Sequence, residues 1–204
     1  NAAFVYEPSG SEDIVDLLGD GFHVKVRLGG KSVSVLVLAA LGGRRSGERV
    51  LLALELAGDE GTEALGLLVR NLVEGGLRAP ILAIIDGAPG LRVALLQAWP
   101  KLEIQRCTVQ KARNLLARAP AARRAEVAED SRAFICAATA AEVRAGYEPF
   151  LRKWDKKCPG VAANLSEAGD DLPTFTKFQP SQWKSLRTTN VLERLNEEFR
   201  RRVK

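Results

Sequence analysis

Pro80-Ile81-Leu82-Ala83-Ile84-Ile85, closed by Asp86-Gly87-Ala88-Pro89-Gly90, is the stretch that decides how this chain folds. The run is short, wholly apolar and has no polar face, so it reads as a central strand covered on both sides. Asp86 then stands at the C-terminal end of that strand, where open α/β sheets bind their ligands. A charge at the edge of a central strand is costly unless it is paired or holds a metal. The same residue also suits a plain structural task, capping the helix expected over 89–99, which has Pro89 in its first turn.

Working outward from this strand, the period of the pattern changes. Residues 14–28 alternate, with Asp20, Phe22, Val24 and Val26 on one face and Gly21, His23, Lys25 and Arg27 on the other. Gly29-Gly30-Lys31 reads as a hairpin turn, Val33 to Ala40 as a second strand, Gly42 to Gly47 as another turn, and Val50 to Leu56 as a third strand. Helical spacing then covers 62–77, with Gly75-Gly76 as its stop. After Asp86 follow the helix over 89–99, a strand over 102–107 and a basic helix to about Arg118. Three antiparallel strands followed by helix, strand, helix, strand, helix is the order of a ribonuclease H-like α/β domain. From 121 to about 169 the pattern is helical and poor in strands, and reads as an all-helical insertion. Residues 170–185 form an irregular, aromatic-rich connection. A last helix carries Leu192, Leu195, Phe199 and Val203 as its apolar stripe. The expected organisation is a core over 1–120, a helical insertion over 121–170, and a segment over 171–204 that completes the core with the catalytic helix.

The chain has 204 residues, enough to bury a sizeable core. It begins at Asn1 and contains no Met, so it reads as an internal piece of a longer protein. No apolar run is long enough to span a bilayer. Three widely spaced cysteines, Cys107, Cys136 and Cys158, imply no disulfide framework and fit a reduced cytoplasm. The net charge of +5 is unevenly placed. Residues 105–125 hold six bases and no acid, and residues 181–204 hold seven bases against three acids. The remainder is therefore acidic, and two basic segments on such a body point to a polyanion; solvated helix faces are the plainer reading.

Two further carboxylates are candidates to join Asp86. Asp20 shares its strand face with apolar neighbours, where a metal ligand belongs, although Gly19-Asp20-Gly21 also has the composition of a turn. Glu193 lies in the first turn of the last helix. Asn190-Val-Leu-Glu193 fits a capping box, so a cap competes with a ligand there too. Converging carboxylates would bind Mg²⁺, a hard ion that takes oxygen ligands. A two-ion site would activate water or a 3′-hydroxyl and stabilise the leaving oxygen of a phosphodiester. Basic helices nearby would neutralise phosphates.

Four blocks in order resemble the bacterial Mutator-type transposases: Asp20-Gly-Phe-His-Val-Lys-Val-Arg27, Ile85-Asp-Gly-Ala-Pro-Gly-Leu91, Gln105-Arg-Cys107 with Lys111 and Arg113-Asn114, and Thr188-Thr-Asn-Val-Leu-Glu-Arg-Leu-Asn196 with Arg200-Arg-Arg202. The resemblance implies that Asp20, Asp86 and Glu193 are a DDE triad holding Mg²⁺ or Mn²⁺, as two ions. It implies cleavage of DNA at terminal inverted repeats and joining of 3′ ends to target DNA, by a homodimer or higher oligomer in a synaptic complex at the bacterial nucleoid. Lys111, Arg113, Lys184, Arg187, Arg194, Asn196, Arg200, Arg201 and Arg202 are the candidates for DNA contact. Gln110 departs from the pattern, standing where the family usually has His. Trp183 has two readings, a platform for an unpaired base or a core residue. Two other functions compete: an inactive or co-opted relative that binds DNA without cutting it, and a ribonuclease H-like nuclease of different substrate.

Overall fold

The computed structural model describes residues 3–5, 13–28, 31–58 and 61–202. It divides into two compact units, one of residues 1–104 with 189–204, the other of residues 105–188.

The first unit is a mixed α/β layer. A six-stranded sheet comprises β1 (Ala3–Val5), β2 (Ile14–Leu28), β3 (Lys31–Arg44), β4 (Arg49–Ala57), β5 (Leu82–Ile85) and β6 (Glu103–Arg106). Their order is β1-β4-β3-β2-β5-β6. The chain passes from the first unit to the second within β6, after Ile104. β2, β3 and β4 pair antiparallel, and β5 pairs parallel to β2 through Asp16↔Leu82, Leu17↔Ala83, Leu18↔Ile84 and Gly19↔Ile85. Leu82, Ala83, Ile84 and Ile85 are almost wholly buried, as their apolar run requires. β1 has no counterpart in the sequence reading.

Two helices cover one face of the sheet. α1 (Thr62–Glu74) buries Leu65, Leu68, Val69 and Leu72, and α2 (Pro89–Ala98) buries Leu91, Ala94 and Leu95. They form one core with Leu17, Leu36, Leu38, Ala83 and Ile85. A Cβ on Gly19 would come within 2.9 Å of Leu91 Cδ2, so the missing side chain lets α2 lie close to β2.

Two expectations about turns come out differently. Gly42 and Gly43 are not in a turn. β3 runs through them to Arg44, where they pair with Leu17 and Asp16. The glycines are needed for space: a Cβ on Gly42 would meet Ile14 and Leu52, each at 2.9 Å, and one on Gly43 would meet the Asp16–Arg49 ion pair. The reversal lies beyond, where Gly47 takes φ 89° and its N–H donates to Arg44 O at 2.9 Å. The hairpin expected at Gly29-Gly30 lies outside the described residues. The strands on either side of it stay paired out to Leu28↔Lys31.

The second unit is helical: α3 (Thr108–Arg118), α4 (Arg124–Ile135), α5 (Ala140–Lys157), α6 (Pro159–Ala168) and the single turn α7 (Trp183–Leu186), with short 3₁₀ turns between. Its core gathers Leu115, Val127, Phe134, Phe150, Trp154, Val161 and Leu165. Thr139 Oγ1 accepts from Glu142 N at 3.2 Å and Glu142 Oε2 accepts from Thr139 N at 3.0 Å, a reciprocal cap that starts α5. The unit is wider than the insertion read over 121–170. α3 packs on α6 and α4. Buried Gln105 donates to Leu172 O at 2.8 Å and accepts from Phe175 N at 2.6 Å, tying the connection to the same body. Trp183 is a core residue here: its ring lies edge-on to Phe175 at 5.3 Å and its N–H donates to Phe178 O at 2.9 Å. The last helix, α8 (Asn190–Arg202), returns to the first unit and packs on β2.

Candidate active site

The parallel register builds the site. Gly19↔Ile85 is the last pair between β2 and β5, so Asp20 and Asp86 are the next residues on two adjoining strands. Immediately after Asp86 the chain must turn away. Gly87 does so at φ 119°, a left-handed conformation that favours glycine. Asp86 Oδ1 accepts a hydrogen bond from Ala88 N at 3.1 Å, and Ala88 is the residue that precedes α2. This bond shapes the turn that leads into α2 and takes up one carboxylate oxygen, but it is not a helix cap: α2 has no side-chain cap.

Glu193 arrives on α8. Thr189, Leu192, Glu193 and Asn196 follow helical spacing; Thr189 and Leu192 are 0% exposed and Asn196 is 8% exposed, so this is the face laid on β2. Glu193 is half-buried. Its N–H donates to Thr189 O at 3.2 Å and Asn190 is already helical, so Thr189 holds the cap position. A capping box centred on Asn190 would need the helix to begin one residue later.

Asp20 is the electrostatic centre of the group. Its pKa is pushed from 3.8 up to about 7, first by burial and then by the Asp86 charge. Hydrogen bonds from Asn196 and from the Gly21 backbone oppose the rise, and Glu193 adds a smaller upward push. Asp20 thus feels both other carboxylates. Among the described residues, no group of three or more His, Cys, Asp or Glu stands in an arrangement that could hold an ion. Two acids are brought side by side, and the third lies in their electrostatic range without closing the set.

Burying this carboxylate, with Asp86 beside it, has a measurable cost. The folded pKa of Asp20 lies above its ordinary value, so the folded state binds the proton more tightly than the unfolded one. Stability from this group is full below pH 3.8 and is lost as pH rises to about 7. Asp20→Asn removes the charge. In EDTA it is expected to stabilise the protein at pH 8 by on the order of 2–4 kcal/mol, a rise in Tm of roughly 5 °C or more, and to do little near pH 4. Melting curves at the two pH values check this. An equal effect at both would place the cost elsewhere.

The basic candidates separate into two groups. Arg194, Arg201 and Arg202 on α8, and Arg113 and Lys184 in the second unit, are exposed. Arg201 and Arg202 share Glu198 at 2.7 and 2.6 Å. Arg200 is helical, within α8. The other three are used internally. Lys111 is 1% exposed and gives its ammonium to Glu167 Oε2 at 2.6 Å and to Asn164 O at 2.8 Å. Arg187 donates to Ile135 O at 3.0 Å and lies over the Phe175 ring. Asn196 donates from Nδ2 to Asp20 Oδ2 at 3.3 Å. Lys111 and Asn196 are buried on these partners, and Arg187 is half-buried. What the sequence reading missed was the Asn196–Asp20 bond. Its one signal was the i, i+3 spacing of Glu193 and Asn196. Gln110, in place of the expected His, is half-buried and accepts from Arg113 at 3.4 Å.

A mixed sheet with two acids at the ends of adjoining parallel strands, and a third on a helix laid against them, defines an α/β protein with an acidic candidate site. The family described as "Transposase, Mutator family" matches residues 12–204, and the chain belongs to it. It is 30% identical over 204 residues to the transposase for insertion sequence element IS905 of Lactococcus lactis subsp. lactis (strain IL1403), covering 100% of this chain and 52% of that protein. It is 31% identical over 191 residues to the transposase for IS6120 of Mycolicibacterium smegmatis, covering 94% and 58%. It is 32% identical over 201 residues to the transposase for IS1081 of Mycobacterium tuberculosis (strain ATCC 25618 / H37Rv), covering 98% and 48%. The chain spans about half the length of these relatives.

Proposed function

We propose that this chain is the catalytic core of a DDE transposase with a ribonuclease H-like fold, cutting DNA at transposon terminal inverted repeats and joining the 3′ ends to target DNA. The observation that carries the reading is the Gly19↔Ile85 register, which sets Asp20 beside Asp86 while α8 packs on β2. The antiparallel β2–β4 meander with β5 added parallel to β2 supports the fold assignment.

Asp20, Asp86 and Glu193 are the residues that would hold divalent ions. The donors are all hard oxygens, with no thiol or imidazole among them, and the buried, unpartnered Oδ1 of Asn196 fits the same preference. Bound there, Mg²⁺ or Mn²⁺ supplies Lewis acidity toward a phosphodiester. The chain's own part is positional. β2 and β5 fix two acids on rigid backbone, and α8 carries the third. The exposed Arg194, next in sequence to Glu193, is suited to a phosphate, as are Arg200, Arg201, Arg202, Arg113 and Lys184. The function needs DNA ends and target as partners, and two ends brought together by a homodimer or larger assembly in the bacterial cytoplasm. Among the described residues no helix is long and apolar enough to cross a membrane.

The test uses the full-length protein and duplex DNA carrying its element's own terminal repeats. With Mg²⁺ or Mn²⁺, strand cleavage at the repeat ends and transfer to a second duplex are expected, and with EDTA neither. Binding of the ends without cleavage under either ion would overturn the proposal and favour a co-opted DNA-binding protein.

A further inference from the structure

The acidic group has a neighbour that neither the triad nor the DNA-contact reading accounts for. Asn196 lies one helical turn beyond Glu193 on the same face of α8 and is 8% exposed. Its Nδ2 donates to Asp20 Oδ2 at 3.3 Å, while its Oδ1 is buried and has no hydrogen-bond partner. A buried amide oxygen left without a donor costs free energy, so it needs a reason. The orientation is fixed by Asp20: turning the amide over would set oxygen against a carboxylate oxygen. Both amide atoms sit on one carbon, so the orphaned oxygen is buried within one amide group of the atom that grips Asp20. A phosphate contact does not explain it, because the oxygen is buried and both it and a phosphate oxygen are acceptors.

We infer that Asn196 is a positioning residue of the metal site, holding Asp20 in its ligating orientation through Nδ2 and presenting Oδ1 as a neutral oxygen donor to a divalent cation. The inference rests on the triad reading. A neutral oxygen is the useful choice here. It adds a ligand atom without adding a fourth negative charge to three carboxylates that already repel one another. It also ties the helix that carries Glu193 to the strand that carries Asp20, so that the placement of the third acid depends on the bond. Residues that orient a ligand in this way typically change metal affinity by about 10- to 100-fold when removed.

The experiment measures Mn²⁺ affinity of the full-length protein by calorimetry and Mn²⁺ electron paramagnetic resonance, without DNA. Asn196→Leu keeps the branched shape at the buried face but removes both amide atoms, and is expected to weaken Mn²⁺ binding about tenfold or more. Asn196→Asp restores an oxygen donor but loses the Nδ2 bond to Asp20 and adds a fourth negative charge, so it is expected to recover only part of the affinity lost in Asn196→Leu. A residue of purely structural importance would show no such rescue. Mn²⁺ binding by Asn196→Leu equal to wild type overturns the inference, as does an Asn196→Asp protein that is folded by circular dichroism and binds no better than Asn196→Leu. Asp86→Asn separates the two levels. If it lowers Mn²⁺ affinity and Asn196→Leu does not, the triad stands and only the role of Asn196 falls. If Asp86→Asn has no effect either, the triad reading fails with it.

Discussion

Asp86→Asn in the full-length protein is expected to lower divalent-ion-dependent cleavage of transposon-end DNA at least about a thousand-fold while leaving the fold intact. The substitution is chosen because Asp86 has two tasks. One is local: Oδ1 accepts the Ala88 N–H and shapes the turn into α2. Asparagine keeps that acceptor oxygen, and the turn with it. Alanine loses it, at a cost of about 1 kcal/mol for a lost hydrogen bond. The other task is the negative charge beside Asp20, and asparagine removes only this. A loss of stability confined to Asp86→Ala, with cleavage lost in both variants, is the expected pattern. Assays of strand cleavage and chemical denaturation on the same preparations check it. Cleavage by Asp86→Asn within tenfold of wild type would mean that the residue only shapes the turn before α2 and that the catalytic acids lie elsewhere.

The same two-task logic shows why the acids were readable in sequence while their surroundings were not. β2 was legible over its whole length because alternation is a local signal, and Asp20 could be placed on its apolar face by counting. β5 was legible because an apolar run bounded by Pro80 and Asp86 has few other uses. The acids of these strands come from positions that secondary structure alone fixes. Gly42-Gly43 misled because a glycine pair in a polar stretch resembles a turn. Its actual reason is the room that Ile14, Leu52 and the Asp16–Arg49 pair require. None of that crowding is visible until β2, β3 and β4 are laid side by side. Asn196 is the sharper case. Its partner Asp20 is 176 residues away, and only the packing of α8 on β2 joins them. The sequence offered Glu193 as a ligand and Asn196 as a DNA contact, and nothing in it joined the amide to Asp20.

Lys111 carries the last lesson and the second large effect. It sits in a basic segment, and a lysine there looks like a phosphate contact. In the structure its ammonium is 1% exposed, its pKa is lowered chiefly by burial, and Glu167, 56 residues later, supplies the counter-charge. Arg106, also buried, binds the same carboxylate through both terminal nitrogens at 3.0 and 3.2 Å. Burial pushes the Glu167 carboxyl up, but the hydrogen bond from Lys111 and the two positive charges outweigh it and hold the group below its ordinary value. Glu167→Ala therefore strands two buried cations. Breaking a buried pair costs about 3–5 kcal/mol, and the half-exposed carboxylate side of this one admits water, so about 3 kcal/mol is expected. Lys111→Met replaces the charge by an apolar chain of similar size and leaves Glu167 with Arg106, so a change within about 1 kcal/mol is expected. Trp154 and Trp183, two of the chain's three tryptophans, lie in this unit, and their fluorescence reports its unfolding in urea. DNA affinity separates the readings further. Lys111→Met should bind end DNA as the wild type does and keep its salt dependence, because a cation closed inside the helical unit releases no counterions. A weakened affinity with a shallower salt slope, at unchanged urea midpoint, would return Lys111 to the DNA surface and refute the buried pair.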